Sequence, residues 1–253
     1  MQIDILTEEE YASLQSLISE ASRIAICCHK SPDGDALGSC LAWAEYLRMR
    51  GKEAMVIVPD AFPDFLHWLP NVERIVRFDK HPDTVGDEFQ RADLVFCLDF
   101  NGADRVDDMK DLLLKAPGKK VMIDHHLNPM MDTVLTISHP EMSSTSEIIF
   151  RILWQLNEFD NITRKIATPI YCGMMTDTGG FTYNSNNREI YFIISELLSK
   201  GIDKDEIYRK VFNTYSESRL RLMGYVLSQM KVYPDYHAAL ISLTKAEQSQ
   251  FDY

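Results

Sequence analysis

Apolar positions along this chain follow two rhythms that alternate. Tyr11, Leu14, Leu17, Ile18 and Ala21 fall at helical spacing behind Thr7 and Glu10, which are separated as in a capping box, with Leu6 and Tyr11 placed to staple it. Ile24 to Cys28 is then an unbroken apolar run, the pattern of a strand covered on both faces, and it ends at His29. Ser31-Pro32-Asp33-Gly34 turns the chain. Asp35 starts a helix that carries Leu37, Leu41, Ala44, Tyr46 and Leu47, and Gly51 stops it. Further strands are predicted at 54–58, 75–78, 94–98, 121–123 and, near an edge, 133–137. Further helices are predicted at 104–115, from the Ser144/Glu147 capping pair through Leu156, at 163–175 with a kink or late start at Pro169, and at 189–200 closing on Gly201.

Alternating strands and helices predict an α/β fold with a doubly wound, mainly parallel sheet flanked by helices. The C-terminal stretch reads differently. Three segments are expected: a main domain at 1–202, a charged and mainly helical linker at 203–233, and the start of a second, truncated α/β domain at 234–253. In that last segment 237–243 reads as a strand, and Thr244 with Glu247 has capping-box spacing just before the sequence stops.

The chemistry lies where the apolar runs end. Val121-Met122-Ile123 leads into Asp124-His125-His126, Leu94 to Leu98 into Asp99, and the first strand into His29-x-x-x-Asp33-x-Asp35. A fourth segment, Thr176-Asp177-Thr178-Gly179-Gly180-Phe181, supplies one more carboxylate. Ligands of open α/β sheets gather outside the carboxyl ends of the strands. Each piece alone has an ordinary structural reading as a hydrogen-bonded His, a helix cap or a turn; their co-location in one fold favours a site. His29, Asp33, Asp35, Asp99, His125 and Asp177 offer four carboxylates and two imidazoles, enough charge to balance two divalent cations. Oxygen-rich ligation with some nitrogen and no thiolate suits Mn²⁺ or Mg²⁺ rather than structural zinc. Paired ions lie roughly 3.5–4 Å apart and clamp the attacking and leaving oxygens of an in-line displacement. Asp99, alone on its strand end, is the candidate to reach both. His126 is placed to contact a phosphate or protonate a leaving group.

Other features stay open. Ser144 and its neighbours could present helix N-terminal amides and hydroxyls to a phosphate, or form only a cap. Gly179 and Gly180 could allow close approach of substrate, or form only a turn. Cys28 beside His29 suggests a nucleophile, but a strand-buried thiol fits it better.

Composition narrows the function. The 253 residues are 45% hydrophobic and 25% charged, ordinary for a globular protein, and no apolar run approaches a membrane span. The acidic start, Met1-Gln2-Ile3-Asp4 and then Glu8-Glu9-Glu10, does not read as a signal peptide. Five cysteines without a C-x-x-C pair read as reduced buried thiols and point to the cytoplasm. A net charge of −12 argues against tracking duplex DNA. It leaves room for a small phosphorylated substrate, since bound metals would reverse the local field.

His29-Lys30-Ser31-Pro32-Asp33-Gly34-Asp35-Ala36-Leu37-Gly38, the lone Asp99, Asp124-His125-His126 and Thr176-Asp177-Thr178-Gly179 together resemble the DHH phosphoesterase superfamily, over about residues 20–200. Compact spacing and Ser144-Thr145-Ser146-Glu147 look most like its bacterial nanoRNase group, bifunctional oligoribonucleases that also remove the 3′-phosphate of pAp. The resemblance implies a manganese-dependent phosphoesterase. It puts metal-ligand roles on His29, Asp33, Asp35, Asp99, His125 and Asp177, an active-site role on His126, and a supporting role behind the ligands on Asp124. Short RNA, dinucleotides such as pApA, and pAp are the substrates it implies. A pyrophosphatase or exopolyphosphatase of the same superfamily, and a non-catalytic nucleotide-binding protein, are the alternatives. The smaller substrate-binding domain of the family carries a Gly-Gly-Gly-His signature that this sequence lacks, so 234–253 is expected to hold only the beginning of it.

Overall fold

The computed structural model describes residues 3–251. Met1 and Gln2 of the acidic start, and residues 252–253 of the expected second domain, lie outside the described residues. The chain divides into two compact units, Met1–Tyr208 and Arg209–Tyr253.

In the first unit, α1 (Glu8–Glu20) opens with both halves of the Thr7/Glu10 capping box in place. β1 (Arg23–Cys27) leads to α2 (Gly34–Met49), and β2 (Glu53–Val58) and β3 (Val76–Arg77) follow. Next come α3 (Pro82–Arg91) and β4 (Leu94–Leu98), then α4 (Lys110–Lys115), β5 (Lys119–Asp124) and β6 (Leu135–Ser138). Three helices follow: α5 (Thr145–Gln155), α6 (Arg164–Asp177) and α7 (Arg188–Ser199). The strands form one six-stranded sheet in the order β3-β2-β1-β4-β5-β6, and every neighbouring pair is parallel. The doubly wound parallel sheet expected from the sequence is therefore present. Its order reverses between β1 and β4, and at such a switch point the loops leaving two neighbouring strands diverge and open a crevice.

Burial explains why these strands read as continuous apolar runs. Ala25, Cys27, Val95 and Cys97 face a core that also contains Val85 and Phe89 of α3 and Leu113 of α4. The alternate positions Ile24, Ile26 and Phe96 point to the opposite face and are also fully buried. There Phe96 meets Trp43 of α2 edge-on, with ring centroids 5.3 Å apart.

Three local expectations need correction. The predicted helix at 104–115 is a 3₁₀ segment, Ala103–Met109, followed by the short α4, because Asp107 adopts a left-handed φ of 49° that breaks the helix. α6 begins at Arg164 and runs through Pro169 with no late start. α3 was not foreseen, since Pro82-Asp83 opens it and its apolar positions are few.

α8 (Lys204–Phe212) spans the boundary between the units. The second unit contains α9 (Glu217–Ser228), the antiparallel pair β7 (Lys231–Tyr233) and β8 (Ala238–Leu240), and α10 (Lys245–Gln250). β7 was not anticipated, and β8 is shorter than the predicted 237–243. α10 carries the predicted Thr244/Glu247 capping box, and Tyr225 of α9 donates to Glu247 at 2.7 Å. Among the described residues no helix is long and apolar enough to cross a membrane.

One packing feature of the first unit positions everything that follows. α2, α5 and α6 approach closely because small residues line their contact. A Cβ on Gly34 would lie 2.3 Å from Thr176 Oγ1, and one on Gly38 would lie 2.5 Å from the Pro169 carbonyl. A Cβ on Gly173 would lie 2.0 Å from Ser146 Oγ and 2.9 Å from Asp35 Oδ1. Overpacking of this kind forces backbone or rotamer shifts. Gly173→Ala is therefore expected to lower the unfolding free energy by roughly 1–3 kcal/mol in a urea titration. An unchanged midpoint would mean that the three helices are not in firm contact.

Candidate metal centre

The candidate ligands reach the site on four segments, and hydrogen bonds orient four of the six. His29 lies just past β1. Its Nδ1 is 2.7 Å from the Lys30 carbonyl, which only accepts, so Nδ1 carries the proton and Nε2 is turned inward. Asp33 caps α2: its Oδ1 accepts the Asp35 and Ala36 amides at 2.9 and 3.0 Å, and Oδ2 is left over. Asp35, on the first turn of α2, is buried and accepts two amides from the start of α5. Thr145 N–H donates to Oδ2 at 2.6 Å and Ser146 N–H to Oδ1 at 2.8 Å.

Asp99 follows β4 in the left-handed region, at φ 64°, a conformation that Asp tolerates better than most residues. Its amide donates to the Ile123 carbonyl at 3.1 Å and its Oδ1 accepts the Thr145 hydroxyl at 2.9 Å. His125 follows β5, and Asp177 is the last residue of α6.

These residues converge. His29 Nε2 lies 3.5 Å from Asp99 Oδ2 and 3.8 Å from Asp33 Oδ2. His125 Nε2 lies 3.5 Å from Asp177 Oδ2, 3.6 Å from Asp99 Oδ1 and 3.9 Å from Asp35 Oδ2. Such separations are too long for hydrogen bonds. They are shorter than the roughly 4 Å across an ion with ligands at about 2.0–2.1 Å. Among the described residues, three groups have ligand atoms close enough together to hold one ion: His29/Asp33/Asp99, Asp35/His125/Asp177 and Asp99/His125/His126. The first two divide the six predicted ligands into two triads. Asp99 presents one carboxylate oxygen to each.

The electrostatics are those of an anionic cage. Burial pushes the Asp35 carboxyl well above the usual range, and Asp99, Asp177 and Asp33 push it further. Burial raises Asp177 to about 6, with His125 opposing and Asp99 and Asp33 adding to the rise. For Asp99 burial works upward, but the facing imidazole of His29, with His125 and His126 adding to it, prevails and holds it at about 2. Burial opposes protonation of His29, yet Asp33 and Asp99 outweigh it and lift the imidazole to about 11. The cage draws in positive charge from whatever source is available. Donors of this kind, oxygen-rich with imidazole and no thiolate, fit hard or borderline divalent ions such as Mn²⁺ and Mg²⁺.

The remaining predicted residues separate. Asp124 is fully buried. Its Oδ1 is 2.7 Å from His126 Nδ1, and its Oδ2 has no hydrogen-bond partner among the described residues. That bond to Asp124 is the main cause of the raised pKa of His126, whose side chain is 36% exposed and so reachable from outside. Ser144, the candidate substrate contact, departs from expectation. It has no exposed surface, and its hydroxyl accepts the Glu147 amide at 3.0 Å to cap α5. Gly179 and Gly180 both have positive φ, at 55° and 74°, and a Cβ on Gly179 would lie 2.2 Å from the Tyr183 ring. Local backbone and ring packing thus already require glycine at 179. Sequence reasoning missed Gly173 and the contact of Thr145 with Asp99. Their signal is tertiary, a hydroxyl facing Asp99, 46 residues earlier, and a missing methyl facing Ser146 and Asp35 on other helices.

Residues 23–174 match the model of the DHH family, N-terminal domain. Over 227 residues the chain is 31% identical to the bifunctional oligoribonuclease and PAP phosphatase NrnA of Thermus thermophilus, covering 87% of this chain and 64% of that one. It is 25% identical over 219 residues to the protein of the same name from Bacillus subtilis, again spanning 64% of its length. The chain therefore covers just under two thirds of these relatives. A solved structure of an exopolyphosphatase-related protein from Bacteroides fragilis superposes with a TM-score of 0.96 at 56% identity, covering 98% of this chain and 73% of the other.

A cage of this kind should be stabilised by the cation it lacks partners for. Mn²⁺ at a hundredfold excess over its Kd is expected to raise the unfolding free energy by about 2.7 kcal/mol, seen as a higher Tm. Asp99→Ala should abolish most of that gain. An equal gain in wild type and variant would place the binding elsewhere.

Proposed function

Because this chain belongs to the DHH family, we propose that it is a metal-dependent phosphoesterase acting on short oligoribonucleotides or dinucleotides such as pApA, and on the 3′-phosphate of pAp. The observation that carries this reading is the pair of His/Asp triads at the sheet's switch point, with one oxygen of Asp99 facing His29 and the other facing His125. His29, Asp33 and Asp99 would hold one ion, and Asp35, His125 and Asp177 with the other oxygen of Asp99 would hold the second. Two divalent ions, Mn²⁺ foremost, would neutralise phosphate charge and make water a nucleophile at neutral pH.

The chain's own groups supply the rest. His126 is half-exposed, and its Nδ1 proton is tied to Asp124, so Nε2 is left to face a bound phosphate. The Asp124 carboxylate raises the affinity of that imidazole for its second proton. His126 can therefore hold a proton for a leaving oxygen, or donate a hydrogen bond to a phosphate oxygen. Asp124 is a positioning residue here, fixing ring orientation from behind. A net charge of −12 favours small substrates over long polymers. The activities for which the Thermus and Bacillus relatives are named support the substrate class. In this reading 1–202 is the metal-binding domain, 203–233 a linker and 234–253 a segment that serves substrate binding. Five buried cysteines, all unpaired, suit a reducing compartment such as the cytoplasm.

The name of the Bacteroides fragilis structure favours a second reading, hydrolysis of pyrophosphate or polyphosphate in the same centre. An assay offering pApA, pAp and pyrophosphate side by side with Mn²⁺ separates the two. Faster loss of pApA or pAp, abolished in Asp99→Ala, is the expected result. His126→Ala should reduce turnover by roughly 10²–10⁴-fold while Mn²⁺ still binds. Preferred cleavage of pyrophosphate would select the second reading, and binding of pApA with no turnover would point to a nucleotide-binding role.

A further inference from the structure

Thr145 is the first residue of α5 and has no exposed surface. Ser144, not Thr145, caps the helix, and at the first helical position Thr145 has no carbonyl one turn back within its own helix to accept its hydroxyl proton. That hydroxyl instead crosses to Asp99, 46 residues earlier, and donates to Oδ1 at 2.9 Å. The Thr145 backbone amide donates to Asp35 Oδ2 at 2.6 Å. One residue thus holds a carboxylate from each triad, one through its side chain and one through its main chain.

The two contacts differ in what a substitution removes. The amide contact to Asp35 survives replacement of the Thr145 side chain by Val, Ala or Ser. The hydroxyl contact does not, and Asp99 depends on it. The terminal torsion of an aspartate is broad and roughly two-fold, so packing alone leaves the plane of the carboxylate loosely determined. Asp99 Oδ2 faces His29 at 3.5 Å and Oδ1 faces His125 at 3.6 Å. A donor fixed on Oδ1 selects the orientation in which the two oxygens divide between the triads. It takes up one lone pair of Oδ1 and leaves the other for a cation.

We infer that Thr145 is a positioning residue that orients Asp99 as the shared ligand of the two triads. This rests on the metal-centre reading above. Groups that hydrogen-bond a metal ligand commonly set metal affinity as well as orientation.

The test is a calorimetric Mn²⁺ titration of the full chain, with thermal unfolding of the metal-free protein as a control. Thr145→Val keeps the shape and removes the hydroxyl, Thr145→Ala is a second hydroxyl-free variant should the first fail to fold, and Thr145→Ser retains the donor. Val and Ala are expected to weaken Mn²⁺ binding by roughly 10–100-fold, with Ser staying close to wild type. A merely structural role would lower metal-free Tm without this dependence on the hydroxyl. Wild-type affinity in Thr145→Val, or a Ser variant as weak as Ala, would overturn the inference while leaving the metal centre standing. Absence of Mn²⁺ binding by wild type would overturn both.

Discussion

The structure depends on bringing four carboxylates into one small volume. Like charges at such distances repel strongly once water is excluded. The fold answers with positive ends of its own. The first turn of α2 donates two amides to Asp33, and the start of α5 donates two to Asp35. His29 and His125 stand between the acids. The positive end of a helix dipole is worth only a fraction of a charge. Amides and imidazoles therefore orient the cage without neutralising it, and the residual negative potential at its centre favours divalent cations.

That arrangement needs helices closer together than ordinary side chains permit. Gly34 and Gly38 on α2 and Gly173 on α6 remove the methyl groups that would keep α5 from Asp35 and Thr176 from α2. The same contact carries Asp177, at the end of α6, towards His125. Glycines in a helix interior cost stability in themselves. Here they bring the α5 amides within hydrogen-bonding distance of a buried carboxylate. The sheet contributes the other half of the geometry, since parallel strands of matched register end together and deliver His29, Asp99 and His125 to one edge.

Much of this was legible in the sequence, for definite reasons. Buried parallel strands announce themselves as apolar runs, so β1, β4 and β5 could be placed, and with them the residues that follow. Capping boxes at Thr7 and Thr244 are local in sequence and were found as predicted. What stayed hidden is non-local or irregular. The break at Asp107 depends on a left-handed residue that no spacing reveals. Ser144 looked able to meet phosphate because a helix N-terminus binds anions. The structure directs that N-terminus to an anion of the protein itself, Asp35, through the two residues that follow the cap. Thr145 and Gly173 gain their roles only when α5 and α6 meet α2, a contact that no periodicity describes.

The central claim is that two cations share Asp99, one triad on each side. A crystal grown with Mn²⁺ and measured for anomalous scattering tests it most directly. The account predicts two peaks, one among His29, Asp33 and Asp99 and the other among Asp35, His125, Asp177 and Asp99, with Asp99 touching both. A single peak, or peaks that leave Asp99 out, would contradict it.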